Sequence, residues 1–212
     1  MPPIYKFTWI VCRMIFGIYF RWRILSPQNV PMTGPVILAS NHASFLDPPL
    51  IGSAVRRQVN YLARESLFRF PLFGAYLRAL NSVPVDRDGQ GAKGLKMILD
   101  RLLKGGAIIL FPEGTRTSDG NLQPARSGVG LTVIKSDAVV VPVRAFGTFE
   151  AWNRKQLIPR PRRVTLKFGK PMDFTKLRAE ATTCPKLRLK QIYQEVADQI
   201  MAQIDRLEQT DD

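Results

Sequence analysis

The sequence predicts one α/β domain, with a central, mostly parallel or mixed sheet between helix layers and an N-terminal amphipathic helical segment. Three observations carry this reading. Short runs of apolar, often β-branched residues alternate with longer runs of helical periodicity. Clusters of Pro, Gly and small polar residues punctuate them. A chain of 212 residues with 45% hydrophobic content suits a single domain with its own core.

The first element is "FTWIVCRMIFGIYF", residues 7–20, apolar except for Arg13. A spanning helix needs about 20 apolar residues, and an arginine near its centre costs about 3 kcal/mol. This stretch is too short and is interrupted. It also lacks the small-residue cleavage site of a signal peptide. Phe7, Ile10, Met14 and Ile18 repeat at helical spacing, Lys6 and Arg13 fall on nearly one face, and Trp and Arg cluster in "YFRWR". The pattern suits a helix over residues 4–24 that lies in a bilayer interface, the alternative being a helix packed on the domain. Residues 1–26 are therefore assigned to a membrane-interface segment and 27–212 to the domain proper.

After the loop "SPQNVPMTGP", "VILAS" (36–40) reads as a buried strand, and a short helix follows from Pro48. "QVNYLA" (58–63) reads as a strand, "PLFGAYLRAL" (71–80) as a helix and "SVPVD" (82–86) as a short strand. "GLKMILDRLLKGG" is a helix with Leu95, Ile98, Leu99, Leu102 and Leu103 on one face, stopped by Gly105. "AIILF" (107–111) is a buried strand. "SGVGLTVIKSD" is a helix, "VVVPVRAF" (139–146) a strand and "RVTLKFG" another. The last helix starts near Pro185, with Ile192, Val196, Ile200 and Ile204 four residues apart.

The formal charge is +14, which favours anionic partners. Twelve Lys or Arg stand against two acids, Asp173 and Glu180, between Ala151 and Lys190. No nucleic-acid motif accompanies this excess, and few aromatics are interleaved with it. An anionic membrane surface and phosphorylated small molecules are left as the partners it points to. Two distant cysteines, Cys12 and Cys184, suggest neither a disulfide framework nor a metal site. One histidine cannot supply the pair of a H-E-x-x-H zinc motif. "GQGAKG", residues 89–94, matches G-x-G-x-x-G, but "DRD" separates it from the preceding strand, and Asp86 and Asp88 would repel a pyrophosphate. It reads as a turn, and no cofactor is expected.

The lone histidine stands in "SNHASFLDPPL", residues 40–50. His42 lies just past a buried strand, where α/β proteins display functional groups. Asp47 can cap the helix opened by Pro48. A carboxylate fixed there can accept the imidazole Nδ1–H and leave Nε2 to take a proton. No serine sits in a G-x-S-x-G elbow, and neither cysteine has a nucleophile's setting. His42 is left as a base acting on a substrate hydroxyl or on water. "FPEGTRTSDG" follows another buried strand, with Glu113 and Arg116 flanking a glycine that permits close approach to the backbone. Arg116, Arg87 in "VPVDRD" and Arg126 in "QPARSG" have the fork suited to phosphate.

Taken together, these residues resemble the glycerolipid acyltransferases of the 1-acylglycerol-3-phosphate (lysophosphatidic acid) acyltransferase type. "NHASFLD" resembles the NHx4D box. "RESLFRFPLFGAYLRALNSVPVDR" resembles the second motif, with Pro71, Gly74 and Arg87 in place. "FPEGTRT" resembles the third and "VVVPVRAFGT", around Pro142, the fourth. They occur in the family order across residues 36–148. The resemblance implies acyl transfer from acyl-CoA or acyl-carrier protein to the hydroxyl of a lysophospholipid acceptor, giving phosphatidic acid at the cytoplasmic face of a membrane. It implies His42 as base and Asp47 as its partner, with no acyl-enzyme. Arg87, Glu113, Gly114, Thr115 and Arg116 would hold the glycerol phosphate. Arg64 stands where the second motif usually opens with lysine. "ARSG", with Ala125 and Arg126, replaces the usual Phe-Lys-x-Gly. Rival readings are transfer to another lyso-lipid, thioester hydrolysis by the same dyad, and a non-enzymatic basic membrane-binding protein.

Overall fold

The computed structural model describes residues 1–85 and 91–210. Helix α1 (Pro3–Ile18) leads into strand β1 (Arg23–Leu25), then β2 (Val36–Ser40), α2 (Asp47–Ala54), β3 (Val59–Arg64), α3 (Pro71–Ala79) and β4 (Ser82–Val85). Next come α4 (Gly91–Leu103), β5 (Ala107–Leu110), α5 (Ser127–Ile134), β6 (Val139–Phe146), α6 (Thr148–Ala151) and β7 (Thr165–Phe168). Helices α7 (Thr175–Thr183) and α8 (Lys186–Arg206) close the chain. The seven strands form one sheet in the order β1-β7-β6-β2-β5-β3-β4. All neighbours are parallel except β6 and β7, which run antiparallel, so the expected mixed sheet is present.

The central strands β2 and β5 are buried along their whole length, and apolar except for Ser40 at the end of β2, because both faces of the sheet are covered. Val36 and Leu38 of β2 pack toward α1 and α2, with Phe16, Leu50 and Ile51. Ile37 and Ala39 pack toward α4, α5 and α8, with Leu102, Val133 and Ile200. Strand β5 divides in the same way, Ala107 and Ile109 on the first face, Ile108 and Leu110 on the second. The expected stripe of α8 is fully buried: Ile192, Val196, Ile200 and Ile204 expose nothing. On α4, Ile98 and Leu102 are buried, but Leu103 is exposed. It is the last helical residue, about 100° round the axis from Leu102.

The N-terminal helix is shorter than the sequence suggests. It ends at Ile18, and Arg21 turns the chain with a positive φ of 45°. Residues 23–25 then join the sheet as β1, paired with Thr165–Lys167. The inner face of α1 belongs to the core: Tyr5 and Phe16 are buried, and Trp22 stacks on Phe16 with ring centroids 5.7 Å apart. Arg13 also points inward, donating to the Ser53 carbonyl at 2.9 Å and lying 4.6 Å from the Trp9 ring centroid. Among the described residues, no helix is long and apolar enough to cross a membrane.

Candidate active site

The site forms where parallel strands end. β2 and β5 are neighbours in the sheet, so the loops that follow them emerge side by side. The first carries His42 and the second carries Glu113 to Arg116. Asn41 pins the first loop to β6. Its Nδ2 donates to the Ala145 carbonyl at 3.1 Å, and its Oδ1 accepts the Ala145 N–H at 2.8 Å. Sequence reasoning passed over this residue, although it precedes the histidine.

His42 and Asp47 meet as expected, with Nδ1 2.9 Å from Oδ2. Both are buried. The expected capping role of Asp47 is corrected by the structure. Asp47 is itself the first helical residue, and Leu46 occupies the cap position. Its Oδ2 turns back and accepts the Ala43 and Ser44 N–H groups, each at 2.7 Å. The carboxylate thereby shapes the turn that carries the imidazole, a tighter constraint than a cap on the following helix. The imidazole also stacks on Phe111, centroids 3.9 Å apart and planes 16° apart. Phe111 opens "FPEGTRT", and an aromatic beside a motif glutamate was the available signal for it.

Glu113 was expected among phosphate-holding residues. It is 2% exposed and faces the protein. Oε1 accepts the His42 backbone N–H at 2.7 Å, and Oε2 accepts the Gln123 N–H at 3.1 Å. A third bond, Thr117 N–H to the His42 carbonyl at 2.8 Å, completes the tie between the two loops. Burial pushes the Glu113 carboxyl up to about 6, against the two amide bonds that favour its charge, and with the nearby Asp47 charge adding to the rise.

Arg116 lies with its guanidinium 3.5 Å from the Phe45 ring centroid, a cation–π stack that fixes the fork's plane. Gly114 has φ +68°, and a Cβ there would come within 2.8 Å of the Arg126 side chain. Arg126 therefore packs over the loop's glycine. The Thr115 hydroxyl accepts from Arg154 at 2.6 Å, a cation outside every motif noted above. Arg64 is exposed at the end of β3. Arg87, and the first residues of "GQGAKG", lie outside the described residues.

His42, Arg64 and Arg116 are the basic side chains in the wall of one cavity of about 460 Å³. The rest of its wall is mostly apolar and comes from α1, α2, α3 and β3, through Trp9, Pro49, Leu62, Phe73 and Leu77 among others. Tyr5 and Tyr61 also line it. Burial raises both phenols above their ordinary value, Tyr61 well above it, so this part of the wall stays uncharged. A base beside two guanidinium groups at an apolar cavity can act on a molecule with an anionic head and a hydrocarbon tail.

The acyltransferase family model matches residues 21–145, more than half of the chain. This protein belongs to the acyltransferase family. It is 26% identical over 177 residues to the 1-acyl-sn-glycerol-3-phosphate acyltransferase of Bacillus subtilis (strain 168), covering 82% of this chain and 86% of that one. A protein of the same name from Cocos nucifera is 30% identical over 139 residues, 64% of this chain but only 45% of the longer relative. The crystal structure of the 1-acyl-sn-glycerophosphate (LPA) acyltransferase PlsC from Thermotoga maritima shares the fold, with a TM-score of 0.71 at 24% identity over 98% of this chain and 80% of that one. Within this acyltransferase, His42, Asp47, Glu113, Arg116 and Arg126 all fall inside the matched region. Helix α1 and everything after Ala145 fall outside it.

Proposed function

We propose that this acyltransferase moves a fatty acyl group from acyl-CoA or acyl-carrier protein to the free hydroxyl of 1-acyl-sn-glycerol 3-phosphate, giving phosphatidic acid. The observation that carries the proposal is the His42 Nδ1 to Asp47 Oδ2 pair at 2.9 Å, set in the wall of an apolar cavity with two arginines. The names of the relatives favour the same acceptor.

In this reading Asp47 holds the Nδ1–H, and Nε2 takes the proton of the acceptor hydroxyl. The hydroxyl oxygen attacks the thioester carbonyl carbon and the carbonyl π pair moves onto its oxygen. Collapse re-forms the carbonyl and breaks the C–S bond. The thiolate leaves and takes the proton from the imidazolium, so the base is regenerated and no acyl-enzyme forms. Arg116 and Arg64 receive the acceptor phosphate. Arg87, two residues past β4 in sequence, is retained as a third phosphate contact. Gly114 allows close approach, while Glu113 and Arg126 keep the loop in shape. The apolar wall receives hydrocarbon. Residues 1–26 hold the protein at the cytoplasmic face of an anionic membrane, with α1 in the interface.

The test is acyl transfer from defined thioesters to a panel of lyso-lipids, read by product mass. Phosphatidic acid formed in preference to other products supports the proposal. Preference for another lyso-lipid would replace the acceptor, and free fatty acid released equally fast without any acceptor would make the protein a hydrolase.

A further inference from the structure

Exposed apolar residues that are far apart in sequence lie on α1 and on segments hydrogen-bonded to it or to the residues just past it. The outer face of α1 leaves Phe7, Met14 and Ile18 in solvent, Ile18 at 77%. The segment between α6 and β7 holds Leu157 at 96% exposure and Ile158 at 75%. Tyr19, one residue past α1, donates its hydroxyl to the Pro159 carbonyl at 2.9 Å, and the Val164 N–H bonds to the Phe20 carbonyl at 3.2 Å. The segment is thus tied to the C-terminal end of α1. Toward the other end, the Thr8 and Tyr76 hydroxyls lie 3.1 Å apart and join α1 to α3, whose Leu72 is 89% exposed.

We propose that the Leu157–Ile158 segment is a second membrane-inserting element, which works with the outer face of α1 to seat the protein on an anionic bilayer. A leucine and an isoleucine left almost wholly in water are unfavourable there and favourable in an acyl-chain boundary. Pro159 and Pro161 restrict the backbone, so little chain freedom is lost on insertion. Charge names the occupant. Arg154 to Arg163 contains five cations, Arg154, Lys155, Arg160, Arg162 and Arg163, and no acid, all of them exposed. Arginine around an apolar tip matches anionic headgroups above acyl chains. A second copy of the chain would bring the same five charges against themselves.

Position links this surface to the cavity. Trp152, just before the segment, lies with its ring 5.2 Å from that of Phe45, and Phe45 lines the cavity together with Trp9 of α1. The bilayer contact therefore borders the cavity, and the proposal deepens the functional reading by placing the lipid source there.

The test needs no turnover. The full chain is sedimented with phosphatidylcholine vesicles with and without phosphatidylglycerol, at low and high salt, alongside a Leu157→Ser/Ile158→Ser variant and an Arg160→Gln/Arg162→Gln/Arg163→Gln variant. Circular dichroism checks folding. The expected result is salt-sensitive binding that needs phosphatidylglycerol, weakened at least roughly tenfold by the serine pair, with the glutamine variant losing the phosphatidylglycerol preference. Unchanged partitioning of the serine pair would overturn the proposal. So would a dimer of the wild type that the serine pair splits, since the surface would then serve a second copy. Absence of acyl transfer by the wild type would count against the proposed function alone and leave this readout intact.

Discussion

Three donors converge on one oxygen of Asp47: the imidazole Nδ1 and the Ala43 and Ser44 amides. An asparagine can offer a carbonyl oxygen to the same donors but no charge to a forming imidazolium. Asp47→Asn should therefore keep the fold and lower kcat roughly tenfold or more, and His42→Ala should lower it about 10²–10⁴-fold, the usual contribution of a positioned base. Steady-state kinetics with melting curves on both variants test this, and near-normal turnover without His42 would remove the mechanism. In the proposed mechanism Arg116 differs in kind, because the acceptor phosphate would be present before and during transfer, which makes its contact uniform binding. Arg116→Ala should raise the acceptor KM about 10–100-fold, as for a lost hydrogen bond to a charged group, with the thioester KM little changed. A rise confined to the thioester KM would move this arginine to the donor. Glu113 titrates from about 6 when folded against an ordinary 4.5. Its folded pKa is raised, so the folded state holds the proton more tightly. That stabilisation, about 2 kcal/mol for such a shift, is full below pH 4.5 and is lost as pH rises through 6. Glu113→Gln presents only one carbonyl oxygen to two amide donors, at a cost of about 1–3 kcal/mol. The variant should melt lower than the wild type, and its melting temperature should change less between pH 4.5 and 6.5. Equal pH slopes would contradict the assignment.

At the scale of elements, α5 and α8 approach closely through Gly130, where an added Cβ would overlap the Tyr193 carbonyl. Gly130→Ala must push apart helices whose contact buries Val133, Val196 and Ile200. Overpacking of this sort costs about 1–3 kcal/mol, or roughly 2–12 °C in a chain of this size, which calorimetry can read. An unchanged melting temperature would mean that α8 shifts freely. Nothing in the sequence marks this glycine as a point of contact, because the partner backbone lies more than sixty residues away. The same distinction runs through the fold. Strands β2, β5 and β6 were legible because burial on two faces leaves apolar runs of four or five residues, 36–39, 107–110 and 139–143. β1 was not, since three residues at a sheet edge carry no period, and α7 was not, since it buries no residue fully. Strand direction leaves no mark in a pattern of alternation, so the antiparallel β6–β7 pair emerged only from the structure. In the site, His42 and Asp47 were legible because their chemistry lies in their own side chains. The place of Glu113 was not, since its partners are backbone amides, one of them 71 residues away. Backbone donors have no letter in a sequence.

At the scale of the molecule, α1 answers to two environments at once. Its 16 residues span roughly 24 Å, short of the about 30 Å hydrocarbon core, so the helix suits a surface rather than a crossing. Its inner face is core: Tyr5 and Phe16 are buried, and Trp9 donates to the Val55 carbonyl at 3.0 Å. Its outer face is apolar and exposed. A detachable anchor would separate cleanly from residues 27–212, leaving a more soluble domain. A helix with two working faces does not. Removing residues 1–18 uncovers Leu50 and Ile51, which pack in the same cluster as Phe16, and opens the cavity wall that Tyr5, Trp9 and Cys12 supply. The deletion should therefore lower the melting temperature or yield insoluble protein, since loss of a buried phenylalanine alone costs about 3–5 kcal/mol. Replacing only the outer face, by Phe7→Ser, Met14→Ser and Ile18→Ser together, should leave the melting temperature within about 6 °C of wild type, as three surface changes of within about 0.5 kcal/mol each imply. It should weaken sedimentation with phosphatidylglycerol vesicles while sparing turnover of a short-chain acceptor dispersed in detergent. The two variants separate the two faces, one read by heat and the other by lipid. A deletion variant that melts with the intact chain would show that α1 is an appendage after all, and the cavity would then need another wall.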